Sequence, residues 1–355
     1  MHNIQQKKIA VAMSGGVDSS VAAALLKGGG AEVVGVFMKL AQPDLDEQVE
    51  RVRRIAAFLE IPLHLIDLQE DFSRGVLDYF AEAYFAGRTP NPCMVCNRRV
   101  KCGVLLDRVR RDLGAEFMAT GHYARIVRDE GSGKSRLFKG RDDQKDQSYF
   151  LSRLGQDQLR FLLFPLGEMK KKEVVRLAEG FGLGGRHGKE SQDVCFLKAR
   201  SVADFLRGYR PGPEPAGPIV TLDGREIGSH QGVHAFTVGQ RRGLGIPDRT
   251  PYYVVRLDPR NHTVMVGKEE DLLHSVLEVG SIHWVAGEPP DLLADYEVKI
   301  RSRHAGVKAR VEPGPDGGVR MVFVHPQRAA TPGQFAVIYD GEQVLGGGEI
   351  LKAGD

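Results

Sequence analysis

Apolar residues along the first part of this chain change period in a regular way. Residues 9–13 (IAVAM) form a short apolar run, read as a buried strand. Residues 14–18 make a glycine-bearing turn. Residues 19–27 then show helical spacing and stop at Gly28-Gly29-Gly30, where glycine favours a helix C-cap. Residues 33–38 predict a second strand. Leu45, Val49, Val52, Ala56 and Leu59 fall on one helical face, and residues 63–66 predict a third strand. This alternation predicts a parallel sheet with helices on both faces.

Further on, residues 87–97 (GRTPNPCMVCN) break the pattern, and their two prolines and Asn91 read as a loop. Helical spacing resumes over 100–113. A strand is expected at 117–120, ending at Gly121-His122-Tyr123, and a helix at 168–181. Near Tyr209 the composition shifts: Pro211, Gly212, Pro213, Pro215, Gly217 and Pro218 read as a breaker-rich linker. Beyond it helical spacing is rare. Short apolar runs at 252–257, 263–266, 298–300, 319–324 and 335–339 alternate with Gly/Pro turns. The expected organisation is an α/β domain over 1–207, a small mainly-β domain over 208–273 and a C-terminal β-barrel over 274–355.

Composition narrows the class. With 355 residues, the chain is long enough for two or three domains. Neither the 42% hydrophobic nor the 27% charged fraction departs from a water-soluble globular protein. No apolar run is long enough to span a bilayer, and the polar start followed by a short strand does not read as a signal peptide. A cytoplasmic enzyme without a membrane partner is expected. Only four cysteines occur: Cys93, Cys96, Cys102 and Cys195. That is too few for a secreted disulfide scaffold, and the clustering of three of them points to metal binding or redox chemistry.

The string Ser14-Gly15-Gly16-Val17-Asp18-Ser19-Ser20 follows the first strand and opens the first helix. Glycines there let the backbone approach an anion, and the helix start aims N–H groups and a positive dipole end at it. The Gly-Lys-Ser/Thr ending of a P-loop is missing. A glycine pair alone would fit any sharp turn, but the strand–string–helix context favours phosphate binding. The string resembles the PP-loop of ATP pyrophosphatases, which attach AMP to a substrate oxygen and release pyrophosphate. The resemblance implies that 14–20 hold pyrophosphate, with Asp18 near a Mg²⁺ ion.

More of the chain resembles one family, the bacterial tRNA-specific 2-thiouridylases. The matching segments are GRTPNP at 87–92, ATGHYAR at 119–125, KDQSYFL at 145–151 and SQDVCF at 191–196. Further matches are GSHQG at 228–232, TVGQRRGLG at 237–245, TPGQ at 331–334 and LGGG at 345–348. Carried over by position, the resemblance implies that Cys96 is the catalytic nucleophile and Cys195 receives a persulfide sulfur. It implies an ATP site at Ala12, Met13, Ser14, Gly15, Gly16, Val17, Asp18, Ser19, Met38 and Gly121. It places Asn91, Pro92 and Cys93 at the target base. His122, Lys145, Asp146 and Gln147 would contact tRNA near the active site, and Arg301, Ser302 and Gln334 in the barrel.

This chain departs from the family in three places. Cys93 stands where many members have Asp, Ser302 where many have an aromatic, and Cys102 where an aromatic is common; Cys102 reads as a core residue. Two sulfur routes stay open. In one, Cys195 carries a persulfide and Cys96 resolves it, leaving a disulfide. In the other, Cys93, Cys96 and Cys195 hold a [4Fe–4S] cluster whose fourth iron binds hydrosulfide. Structural zinc lacks a neighbouring histidine. Arg98 and Arg99 are expected to favour thiolates.

Basic clusters at Arg98, Arg99 and Lys101, at Arg108, Arg110 and Arg111, at Arg241 and Arg242, and at Lys299, Arg301 and Arg303 fit phosphate contacts once the resemblance is considered. Lys170 to Lys172 read as plain solvated charge. The expected reaction adenylates the C2 oxygen of a wobble uridine in tRNA with ATP and replaces it with sulfur. That sulfur comes from a donor protein or from hydrosulfide. The rival readings are a PP-loop synthetase acting on a small molecule and a non-catalytic RNA-binding module with structural metal.

Overall fold

The computed structural model describes residues 4–129, 131–185, 194–198, 200–211 and 215–354. In chain order its first strands are β1 (Lys8–Ala12), β2 (Glu32–Lys39), β3 (Leu63–Asp67) and β4 (Phe117–Thr120). A hairpin of β5 (Ala124–Arg128) and β6 (Ser135–Lys139) follows, then β7 (Leu162–Leu163). Five of these make a parallel sheet in the order β3-β2-β1-β4-β7. The first helix, α1 (Val17–Gly28), and the second, α2 (Leu45–Phe58), lie on the same face.

Period 2 divides β2 between two cores. Val33 and Phe37 pack with Val21, Val52 and Ile55, while Val34 and Val36 pack with Phe72, Phe80 and Met94. In the sheet's connectivity, β2 and β3 lie on one side of β1 and β4 on the other, so the carboxyl ends of β1 and β4 flank a topological switch point. Open α/β sheets bind ligands in that crevice.

Two readings of the sequence change. Residues 87–97 are not all loop: a helix spans Pro92–Cys96, widens through Asn97–Val104 and continues as Leu105–Leu113. Asn91 caps it, its Oδ1 accepting the Met94 N–H at 3.2 Å, and Pro92 takes the first helical position, where no N–H is needed. Gly114, at φ 62°, ends it. The breaker-rich linker also overreaches. Gly217 and Pro218 open strand β8 (Gly217–Thr221), a position proline tolerates, whereas Gly212 and Pro213 lie outside the described residues.

The middle segment adds β9 (Glu226–His230), β10 (Tyr253–Asp258) and β11 (Thr263–Gly267), ordered β10-β11-β8-β9 over Ile219, Val254, Val264 and Val266. The last segment runs through β12 (Leu273–Val279), the short β13 (His283–Trp284), β14 (Asp295–Lys299), β15 (Val307–Pro313), β16 (Val319–Arg328), β17 (Phe335–Asp340) and β18 (Gln343–Gly354). The path β12-β16-β15-β14-β17-β18 closes through β12–β18 pairing, so it is a six-stranded barrel.

Barrel and sheet domain are joined through backbone and core. Strand β6 pairs with β18 at Leu137↔Val344 and Phe138↔Gln343. Along β17, Ala336 and Ile338 face the barrel core, while Phe335, Val337 and Tyr339 pack into the core beneath the cysteine helix.

Candidate active site

The phosphate loop is built locally. Gly15 takes φ +76°, a conformation open to glycine, and an added Cβ would meet Val52 Cγ2 at 3.2 Å and Arg51 Cδ at 3.3 Å. Ser19 Oγ accepts the Ser14 N–H at 3.1 Å and donates to the Gly16 carbonyl at 3.2 Å. Ser20 Oγ reaches the same carbonyl at 2.9 Å. These bonds brace the turn, and the first N–H groups of α1 have no acceptor within the helix. Met13 is buried and Ser14 is exposed; Ala12 and Met38 are half-buried at the ends of their strands, and Val17 is half-buried at the start of α1.

Opposite stands Gly121, at the end of β4. A Cβ there would lie 2.8 Å from the Ser19 nitrogen, so only glycine lets this strand end meet the loop. The expected ATP residues are therefore gathered at the switch point.

Asp18 is engaged by two partners. Both of its oxygens hold Lys171 Nζ, at 2.7 and 2.8 Å, and Tyr123 donates its hydroxyl to Oδ1 at 2.7 Å. Lys171, within the cluster read as solvated charge, has a side chain only 17% exposed. Nothing in the local sequence marks it, because its partner lies 153 residues away.

Cys93 and Cys96 stand one turn apart on the Asn91-capped helix, and Cys195 returns from far along the chain. Phe196 anchors Cys195, its buried ring packing edge-on against Phe72 and Phe80 at 5.9 and 5.1 Å. Ser191, Gln192 and Asp193 of that segment lie outside the described residues.

The expected thiolates are not found. Burial pushes the Cys96 thiol up to about 12 and the Cys195 thiol up to about 11, and it raises Cys93 as well. The cation that opposes this is Lys101, not Arg98 or Arg99. Desolvation disfavours the charged form more than one lysine favours it. Charges on Cys93 and Cys195 would each oppose ionisation of Cys96, so the three thiols share one electrostatic neighbourhood. Cys93 and Cys195 keep accessible surface, although surrounding protein atoms raise both thiols. Cys102 is fully buried, as a core residue should be.

The barrel clasps the segment before this helix. The Thr89 N–H donates to the Pro332 carbonyl at 2.8 Å, and Gln334 Nε2 donates to the Thr89 carbonyl at 2.9 Å. Arg88 pairs with Glu349 at 2.6 Å. Gln334, expected to touch tRNA, thus spends its amide on the cysteine segment.

Other expected RNA contacts are also engaged. Asp146 accepts the Gly140 and Ser148 N–H groups at 3.0 Å, with a side chain 5% exposed. Gln147 Oε1 accepts the Tyr123 N–H at 3.1 Å. His122 is buried, its Nδ1 2.7 Å from Thr120 Oγ1, and burial holds it well below its usual value, so its ring is neutral. Lys145 and Ser302 are half-buried, while Arg301, Arg241 and Arg242 are exposed. Much of the remaining basic surface is spent locally. Arg110 lies 3.4 Å over the Phe161 ring, Arg111 pairs with Asp112, and Lys299 faces Asp146 at 3.8 Å.

A glycine-bearing loop at the switch point of an α/β sheet, three thiols that share one electrostatic neighbourhood and a barrel bonded to the thiol segment fit a nucleotide-binding α/β enzyme with thiol chemistry. Family profiles agree. Residues 7–199 match the tRNA methyl transferase HUP domain, 203–268 the tRNA methyl transferase PRC-barrel domain and 274–350 the aminomethyltransferase beta-barrel domain. The tRNA-specific 2-thiouridylase MnmA of Desulfotalea psychrophila is 48% identical over 341 residues, covering 96% of this chain and 98% of that one. Its counterpart in Roseiflexus castenholzii is 44% identical, covering 97% and 99%. The chain belongs to the tRNA-specific 2-thiouridylase family. Among solved structures, a 4-thiouridine synthetase–RNA complex with bound ATP is 20% identical. It covers 58% of this chain and 50% of that one at a TM-score of 0.37, too loose for any functional argument.

Proposed function

We propose that this chain is an ATP-dependent tRNA-uridine 2-sulfurtransferase of the cytoplasm, acting on the wobble uridine. The observation that carries the reading is the pairing of a phosphate loop at the switch point with the Cys93–Cys96–Cys195 neighbourhood, in a chain of this family. The uridine O2 attacks the α-phosphorus of ATP, and pyrophosphate leaves. The O2–adenylate makes C2 electrophilic. A sulfur nucleophile adds there, and AMP departs with the original oxygen. The target base must leave its stack to reach such a site.

Sulfur arrives by one of two routes. In the thiol route, the Cys96 sulfur attacks Cys195 Sγ of a persulfide. The terminal sulfur goes to C2, and the resulting Cys96–Cys195 disulfide is reopened by a dithiol reductant. In the other, the three cysteines hold a [4Fe–4S] cluster. Among the described residues no group of three His, Cys, Asp or Glu side chains is placed to hold a metal. No helix among the described residues is long and apolar enough to cross a membrane.

The deciding experiment is anaerobic reconstitution of the parent and of Cys93→Ala, with iron and 2-thiouridine measured together. The thiol route predicts an iron-free Cys93→Ala enzyme of substantial activity. A dead, iron-free variant beside an iron-loaded, active parent would establish the cluster instead. Failure of the parent to make 2-thiouridine from any tRNA would remove the reading altogether.

A further inference from the structure

We infer that Lys171 is the cation that receives the pyrophosphate half of ATP, held ready by Asp18 until the nucleotide enters. The inference rests on the adenylation chemistry proposed above and adds a residue to it.

Three elements converge on one point. Asp18 sits in the first turn of α1, where the loop's N–H groups gather. Tyr123 comes from the chain just past Gly121 and donates to Asp18 at 2.7 Å. Lys171 opens the Lys171–Gly180 helix, and its backbone N–H is fixed by Asp142 Oδ2 at 2.7 Å while its Nζ reaches both Asp18 oxygens. The base of the side chain is therefore anchored, and the ammonium is delivered across from a second helix. Asp18 and Lys171 are 23% and 17% exposed, so the pair is partly desolvated but open to the loop.

A surface ion pair this far inside needs a reason, because half-buried pairs gain little stability on their own. Phosphate binding supplies one. The loop offers dipoles and N–H groups but no cation of its own, since it lacks a P-loop lysine. When the bond from the α-phosphorus to the bridging oxygen breaks, negative charge builds on the leaving pyrophosphate. A positioned ammonium stabilises that charge as it develops. Lys171 lies beside the helix start where this charge must rest. Asp18 neutralises and orients it beforehand, so no lysine rotamer search is needed when ATP binds.

The test uses the full-length enzyme and inorganic pyrophosphate in Mg²⁺-free buffer, with binding read by calorimetry. Lys171→Gln keeps a donor for Asp18 but removes the charge, and Lys171→Met keeps only the apolar stem. Both should weaken pyrophosphate binding at least about tenfold. Both should also lower kcat for tRNA-dependent pyrophosphate release by about a hundredfold, with tRNA affinity unchanged. Lys171→Arg should recover most of both. Two neutral variants guard against one that fails to fold, and thermal melting identifies it.

A folded neutral variant that binds pyrophosphate like the parent overturns the inference. So does one whose kcat loss tracks melting temperature and is not recovered by arginine. A parent that binds pyrophosphate through Lys171 yet releases none with tRNA would break the functional reading and leave this role standing.

Discussion

The phosphate loop and the cysteine site lie at the same end of one sheet domain but are specified in opposite ways. The loop is a contiguous string whose shape follows from its own residues: Gly15 at positive φ, Ser19 and Ser20 tied to Gly16, and a helix that starts at once. The cysteine site is assembled from three distant segments. Asn91 and Pro92 start its helix, Phe196 anchors Cys195, and the barrel turn at Pro332–Gln334 holds Thr89. A local motif thus carries its own geometry, whereas a distributed site borrows geometry from the whole fold. Damage to the first should remove one chemical step cleanly, and damage to the second should be graded.

The largest expected effects separate the two steps. Asp18→Ala should lower tRNA-dependent pyrophosphate release by up to about a hundredfold, as loss of the Lys171 charge does, with the fold intact. Cys96→Ala and Cys195→Ala should abolish 2-thiouridine formation yet still release pyrophosphate. Measuring both products on all three variants checks the contrast. Normal pyrophosphate release by Asp18→Ala, or its loss in Cys96→Ala, would show that the two regions do not act in separate steps.

Grading is sharpest at Gly333. It sits at φ +93°, and a Cβ there would lie 2.8 Å from the Thr89 nitrogen and 3.0 Å from Arg88 Cβ. Gly333→Ala should cost about 1–3 kcal/mol. It should lower thiolation roughly tenfold while pyrophosphate release holds. Gln334→Ala removes one hydrogen bond to the Thr89 carbonyl, about 1 kcal/mol, and should lower thiolation a few-fold with tRNA affinity little changed. Equal loss of both products in Gly333→Ala, read by the same two assays, would mean that the clasp supports the whole domain and not the cysteines.

The same contrast explains what was legible in the sequence. Strands, α1 and the phosphate loop could be read because period and glycine placement are local signals. Four things could not. Pro90 and Pro92 read as loop formers, although Asn91-Pro92 is also an N-cap and first-turn pair; two valid signals competed, and tertiary packing of Met94 and Val95 chose the helix. Lys171 looked like solvated charge because its partner is remote in sequence. Thiolates were expected beside arginines because sequence shows neighbouring charges but not burial, and burial dominates. The β5–β6 hairpin went unread for a similar reason, since its partner β18 lies about two hundred residues further along.

His122 is where the two regions meet, and it carries the smallest effect. It follows Gly121 at the phosphate-loop end, yet the charge that acts on it is Lys101, from the cysteine helix. Burial comes first and Lys101 second, and both hold its imidazole below the usual 6.5. The sign follows from which state takes up the proton. Below about pH 6.5 the unfolded chain protonates this ring and the folded protein does not, so the contribution is present above that value and lost as pH falls. The loss is at most about 1.4 kcal/mol between roughly pH 7.5 and pH 5.5. His122→Asn keeps a polar group near Thr120 and removes the titration. Its melting temperature should therefore fall less steeply over that range than the parent's, even if it starts lower. Lys101→Met should act in the same direction but more weakly, because it relieves only the lesser cause. Parallel melting-versus-pH curves for parent and His122→Asn would mean that the ring is protonated within the fold, and that the cysteine helix exerts no field across the crevice.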